Sequence, residues 1–193
     1  MKASEAWSPD ELLTRASAGE AAAFAALVRR YQRTVFSIAL RMLGDRHRAE
    51  DLAQEVFLQL YRSLDGIGSD THLAFWLRKV AVNRAIDRIR QETRYDNEPL
   101  TEAASVVEET GDADPLLQRR MAELVSQLPP AARAVVVLRY QEDLDPVDIA
   151  STLDMPINTV KSHLKRSLTS LRARVLGTAI VDDIQPSMSE PSR

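Results

Sequence analysis

Between Ile157 and Arg174 the chain reads INTVKSHLKRSLTSLRAR, with Lys161, Lys165, Arg166, Arg172 and Arg174 and no carboxylate. Asn158, Thr159, Ser162 and Thr169 lie among them. Ammonium, guanidinium, amide and hydroxyl groups are the donors that hold phosphate oxygens and read base edges. On a helix turning about 100° per residue, Val160, Leu164, Leu168 and Leu171 gather on one side. Asn158, Ser162, Lys165, Arg166 and Thr169 gather on the other, with Lys161 on the flank. A helix of this kind alone is more often an ordinary solvated face than a nucleic-acid reader. A second basic cluster holds Arg78, Lys79, Arg84, Arg88, Arg90 and Arg94 against only Asp87 and Glu92. Phe75 and Trp76 stand at its head. Cations beside aromatic rings suit unpaired or distorted DNA, because rings stack on exposed bases. Trp76 at helical spacing fits a core position better than a stacking one, and Phe75 fits either.

Bond-making chemistry finds little support. His47, His72 and His163 are far apart and lack metal-ligand spacing. Glu50, Asp51 and Glu55 read as the charged outer face of a helix rather than a carboxylate site. No glycine-rich phosphate loop is present, and the 193 residues include no cysteine, so thiolate catalysis and disulfides are out. We expect no enzyme, no cofactor and no metal.

The elements that must position these groups are helices. Ser8-Pro9-Asp10-Glu11 has the form of a capped helix start. Phe24, Leu27, Val28, Tyr31, Val35, Ile38 and Met42 recur at helical spacing, and Gly44-Asp45 stops that run. HRAEDLAQEVFLQLYRSL is a second amphipathic helix. After the loop DGIGSD, a third presents Leu73, Leu77, Val80, Ala81, Ile86 and Ile89 to a core. Composition then shifts: residues 95–115 carry seven acids and no Lys or Arg, which reads as an acidic flexible linker. LLQRRMAELVSQL and the apolar AARAVVVLRYQ open a second unit. Asp145-Pro146 caps a short helix, Asp154-Met155-Pro156 turns, and the basic helix follows. Short helix, tight turn and second helix make a helix-turn-helix, in which the second helix enters the major groove. No run alternates like a strand. The fold class expected is all-α: two small helical domains joined by an acidic flexible linker, the C-terminal one a helix-turn-helix. The boundaries are 9–94, 95–115, 116–176 and a disordered tail over 177–193.

Overall the chain is acidic, with net charge -3. That opposes nonspecific DNA binding and leaves the basic faces to act locally. No stretch looks like a signal peptide or reaches the ~20 apolar residues of a membrane helix, so a cytoplasmic protein is expected.

Three motifs carry a family resemblance. AEDLAQEVFLQLY, FWLRKVAVNRAIDRIR, and LPPAARAVVVLRYQEDLDPVDIASTLDMPINTVKSHLKRSLTSLR stand in the order found in extracytoplasmic-function (ECF) sigma factors, the smallest sigma-70-type initiation factors. The likeness spans about Leu12–Arg94 and Leu116–Leu176. It implies partners: core RNA polymerase, through its β′ clamp and β flap, promoter DNA, and an anti-sigma factor or other regulator. It also implies control of a stress or environmental regulon. On that resemblance Asp51, Leu52, Gln54, Glu55, Phe57 and Leu58 would grip the polymerase. Ser69, Asp70, Phe75, Trp76, Lys79, Asn83, Arg84, Asp87 and Arg88 would read and melt the −10 element. Thr159, Lys161, Ser162, Lys165 and Arg166 would read the −35 element, and the acidic linker would thread the RNA-exit path. The chain departs from the family pattern at Arg48, which reverses a charge in the polymerase-binding helix. It departs again at Asp154, where glycine is usual, and at His163, where arginine is common. Pro146 stands in a more usual Ser or Thr neighbourhood. The rival reading is a LuxR-type regulator, whose recognition helix TVKSHL resembles almost as well. Such a regulator would need an alternating strand–helix receiver domain. A helical adaptor without a DNA role is the other alternative, and the paired basic faces speak against it.

Overall fold

The computed structural model describes residues 7–95 and 115–182. Among these residues eight α-helices follow one another: α1 Pro9–Ser17, α2 Ala21–Leu43, α3 Arg46–Ser63, α4 Asp70–Tyr95, α5 Pro115–Ser126, α6 Pro130–Tyr140, α7 Pro146–Thr152 and α8 Ile157–Asp182. A short 3₁₀ turn, Leu64–Gly66, links α3 to the loop before α4. Among the described residues there is no strand.

Local signals set the ends. Ser8 caps α1 in a reciprocal box: its hydroxyl accepts from the Glu11 amide, while Glu11 accepts from the Ser8 amide at 2.7 Å. Those bonds, the backbone one first, hold the Glu11 carboxyl below its ordinary range. Gly44 ends α2 at φ 73°, a left-handed conformation that costs glycine little. Asp45 then caps α3 and Asp145 caps α7. Asp154 also takes a left-handed turn, at φ 50°, which short polar side chains tolerate.

Leu27, Ile38, Met42, Leu52, Leu60, Leu73 and Leu77 are buried together where α2, α3 and α4 meet. In the second unit α6 is buried along 132–138, as its apolar run predicts. The same core continues across both units through Ala134, Val135, Leu138 and Ile149. The two units are therefore packed against each other, with α6 and α7 on α2 and α4, where the sequence suggests modules joined only by a linker.

Arg133 pins this seam. Its guanidinium donates to the Met42 carbonyl at 2.5 Å, near the end of α2. It also donates to the Ser126 and Leu128 carbonyls, at and just beyond the end of α5. A cation at two helix C-termini meets the negative ends of both dipoles. Burial, and then the charge of Arg48, pushes this guanidinium down to about 10, so it stays charged at neutral pH. Gln141 adds a bond to Ser37 at 2.9 Å.

The acidic linker residues 96–114 and the tail 183–193 lie outside the described residues. The backbone is helical to Asp182, so the expected boundary at Gly177 falls inside α8 rather than at its end.

Candidate nucleic-acid and partner interfaces

The basic helix α8 is built as its periodicity implies. Val160 and Leu171 are buried, with Leu164 and Leu168 half-buried beside them. Thr159, Lys161, Ser162, Lys165 and Arg166 are exposed together. Apolar anchoring on one side, at about 1.5–3 kcal/mol per fully buried aliphatic side chain, fixes which residues face outward. The turn Leu153–Pro156 holds α8 against α7, completing the helix-turn-helix.

The α4 face is more committed than its sequence suggests. Ser69 accepts from the His72 amide and so starts the helix. Asp70 receives the Tyr31 hydroxyl at 2.5 Å and Arg30 at 3.3 Å, and its own amide donates to Asp10. These bonds tie the start of α4 to α1 and α2. Burial, then the bond to Asp70, raises the Tyr31 phenol above its ordinary value. Trp76 packs against the core while remaining partly accessible. Phe75 is half-buried, with the Lys79 ammonium 6.0 Å from its ring centre. Asn83 is half-buried and Asp87 exposed.

Arg84 and Arg88 both pair with Glu55 on α3, at 2.9 and 2.7 Å, and Arg84 also donates to Gln59. Residues expected to contact two different partners thus meet each other. Arg48 turns toward Glu92 on α4, and its carbonyl accepts from Arg88 at 3.1 Å. Its charge is spent on the α3–α4 contact.

On the outer side of α2 and α3 an apolar groove of about 860 Å³ opens. Phe57 and Leu58 line it, as does Gln54, and Asp51 is exposed one turn earlier. Leu52, expected on the same face, is fully buried in the core beneath the groove. Phe24, Val28, Gln32, Phe36 and Tyr61 also line the groove and were not singled out for it from sequence. Phe24 and Tyr61 meet edge to face at 5.2 Å, and Arg46 lies over Phe36. Leu58 and Tyr61 are exposed large apolar residues on this one groove, the kind of patch that monomeric surfaces seldom leave uncovered.

Fold and surfaces together define an all-helical protein with a helix-turn-helix in one unit and an exposed apolar groove in the other. Residues 27–95 match the family model Sigma-70 region 2, and residues 118–171 match Sigma-70, region 4. The chain belongs to the ECF sigma factors of the sigma-70 family. It is 31% identical to ECF RNA polymerase sigma factor SigW of Bacillus subtilis over 170 residues, covering 81% of this chain and 91% of that one. ECF RNA polymerase sigma factor SigK of Mycobacterium tuberculosis is 30% identical over 171 residues, covering 84% and 91%. In fold the chain is similar to CnrH, solved in complex with the cytosolic domain of CnrY. That match has TM-score 0.62 and 21% identity, over 92% of this chain and 99% of that one. It is also similar to RpoE of Bartonella quintana, solved with the anti-sigma factor NepR, at TM-score 0.65 and 19% identity over 78% and 94%. The first half matches Sigma-70 region 2 rather than the receiver domain that the LuxR-type reading called for. No helix among the described residues is long and apolar enough to cross a membrane.

Proposed function

We propose that this chain binds core RNA polymerase and carries it to promoters, with its first unit on the −10 element and its second on the −35 element. The observation that carries this reading is the pairing of an exposed basic face on α8 with an exposed apolar groove on α2–α3 in one chain. The groove, with Phe24, Phe57, Leu58 and Tyr61, takes the clamp of the polymerase, and Asp51 and Gln54 border it. Thr159, Lys161, Ser162, Lys165 and Arg166 face the −35 duplex. On α4, Phe75, Trp76, Lys79, Asn83 and Asp87 face the −10 strand. Ser69, Asp70, Arg84 and Arg88 hold that helix in place through the bonds described above. The domain division follows: 9–94 as region 2, 116–176 as region 4, and the acidic residues between as a connector along the polymerase. The chain acts as a binding factor in the cytoplasm, where polymerase is, and catalysis belongs to the polymerase. The structure of RpoE of Bartonella quintana, solved with the anti-sigma factor NepR, supports a regulator of that kind here.

The test is transcription by purified bacterial core polymerase on pooled promoter fragments, with and without this chain. Transcripts sharing paired upstream motifs are expected. Absence of both transcripts and core binding would overturn the reading.

A further inference from the structure

We propose that in the free chain Glu142 and Asp154 of the second unit latch onto Arg78 and Lys79 of α4, holding both DNA readers in a closed pair that cannot engage a promoter. The inference rests on the functional reading of α4 and α8 given above. Arg78 Nε lies 2.8 Å from Glu142 Oε2. Lys79 Nζ lies 2.7 Å from one Asp154 oxygen and 2.9 Å from the other. Glu142 follows α6 and Asp154 sits in the turn of the helix-turn-helix, so the two acids flank α7 and grip adjacent residues of α4.

The two pairs differ in kind. The Glu142 side chain is only 8% exposed, so its charge is held in the seam by Arg78 and would be costly without it. Asp154 is 69% exposed on its side chain, and its pair with Lys79 is the weaker, salt-screened one. Its carboxylate nevertheless occupies the ammonium that would otherwise meet a phosphate. Lys79 also lies over Phe75, so the contact covers one end of the stacking face.

Geometry makes the closed pair incompetent. Elements named −10 and −35 are centred about 25 base pairs apart, or roughly 85 Å of duplex at 3.4 Å per step. In the closed chain Asp154 touches Lys79, and Lys161 lies seven residues further on, at most about 24 Å away even if that stretch were fully extended. Two readers this close cannot occupy both elements. The units must part, and these ion pairs, with the apolar seam beneath them, oppose parting.

The test uses the full chain, whose lack of cysteine allows labels at Arg62→Cys and Arg172→Cys, both exposed positions. Electron–electron distance measurement on the free protein should give one narrow distribution. Adding Asp154→Asn and Glu142→Gln should broaden it and shift it to longer distances. Affinity of the unlabelled variant for a fluorescent oligo-dT single strand should rise about tenfold, as expected when a competent fraction near one tenth becomes dominant. Asp65→Asn with Asp148→Asn removes the same charge outside the latch and should change neither readout. Should Glu142→Gln fail to fold, Asp154→Asn alone keeps a residue that tolerates the left-handed turn and should shift both readouts in the same direction, by less. Unchanged distances in the latch variant, or an equal affinity gain in the control, would overturn the latch. Wild-type transcription with core polymerase separates the two readings: if transcripts form but the distances do not respond, only the latch is wrong.

Discussion

At the scale of single residues, position in the helix decides role. Arg166 and Lys165 stand on the outer face of α8 without an acid nearby on that helix, so their charge is available to DNA. Arg166→Ala should lower −35-dependent initiation about tenfold, the worth of one good phosphate or base contact of 1–3 kcal/mol. Core binding, measured by co-elution, should stay as it is; an equal loss of both would mean α8 serves the polymerase instead. Tyr31 works inward. Its hydroxyl donates to Asp70, and Tyr31→Phe should cost about 1–2 kcal/mol in urea unfolding, because it strips a hydrogen bond from a charged acceptor. The phenol's folded value is raised above its unfolded one. Its contribution is therefore complete below about pH 10 and lost as pH climbs through the folded value. Wild type should lose more stability than Tyr31→Phe across that alkaline window.

At the scale of helices, caps and apolar stripes were readable in the residues, and partners across helices were not. Ser8, Gly44 and Asp145 signal helix ends through their own local bonding, which needs no tertiary context. The apolar side of α8 follows from spacing alone. Leu52 and Phe57 show the limit: both are apolar on one amphipathic helix, yet one is core and the other lines an open groove. A stripe wide enough to face two neighbours does not say which neighbour belongs to the same chain. Arg84 and Arg88 show it again, since a basic face looks the same whether it meets phosphate or Glu55. Arg133 lies in a run that reads as apolar, but its task of bonding two helix ends depends on α2, far away in sequence. Arg133→Ala would leave those carbonyls without their donor, and thermal or urea unfolding should report a loss of about 3 kcal/mol or more. Arg133→Lys should recover only part of it, because an ammonium cannot reach both helix ends with a planar fork.

At the scale of the whole molecule, the packing of the two units against each other changes how the chain should unfold. Modules joined only by a linker would melt independently. Here the core is continuous from α2 and α4 into α6 and α7, and Arg133, Arg78 and Lys79 bond across the boundary. Removing the second unit would expose apolar surface on α2 and α4 and strand the Met42 carbonyl. Each unit therefore stabilises the other, and loss of one should bring loss of the other. The chain carries its own reporters for this. Both tryptophans, Trp7 and Trp76, stand on the first unit's side of that continuous core, so fluorescence weights the first unit. Far-ultraviolet circular dichroism follows the helices of both. Urea curves from the two signals should coincide in one transition for the wild-type chain. With Asp154→Asn and Glu142→Gln they should separate, dichroism showing a step that fluorescence does not. Two transitions already present in the wild type would mean that the seam contributes little, and that the units are held together by nothing stronger than their connector.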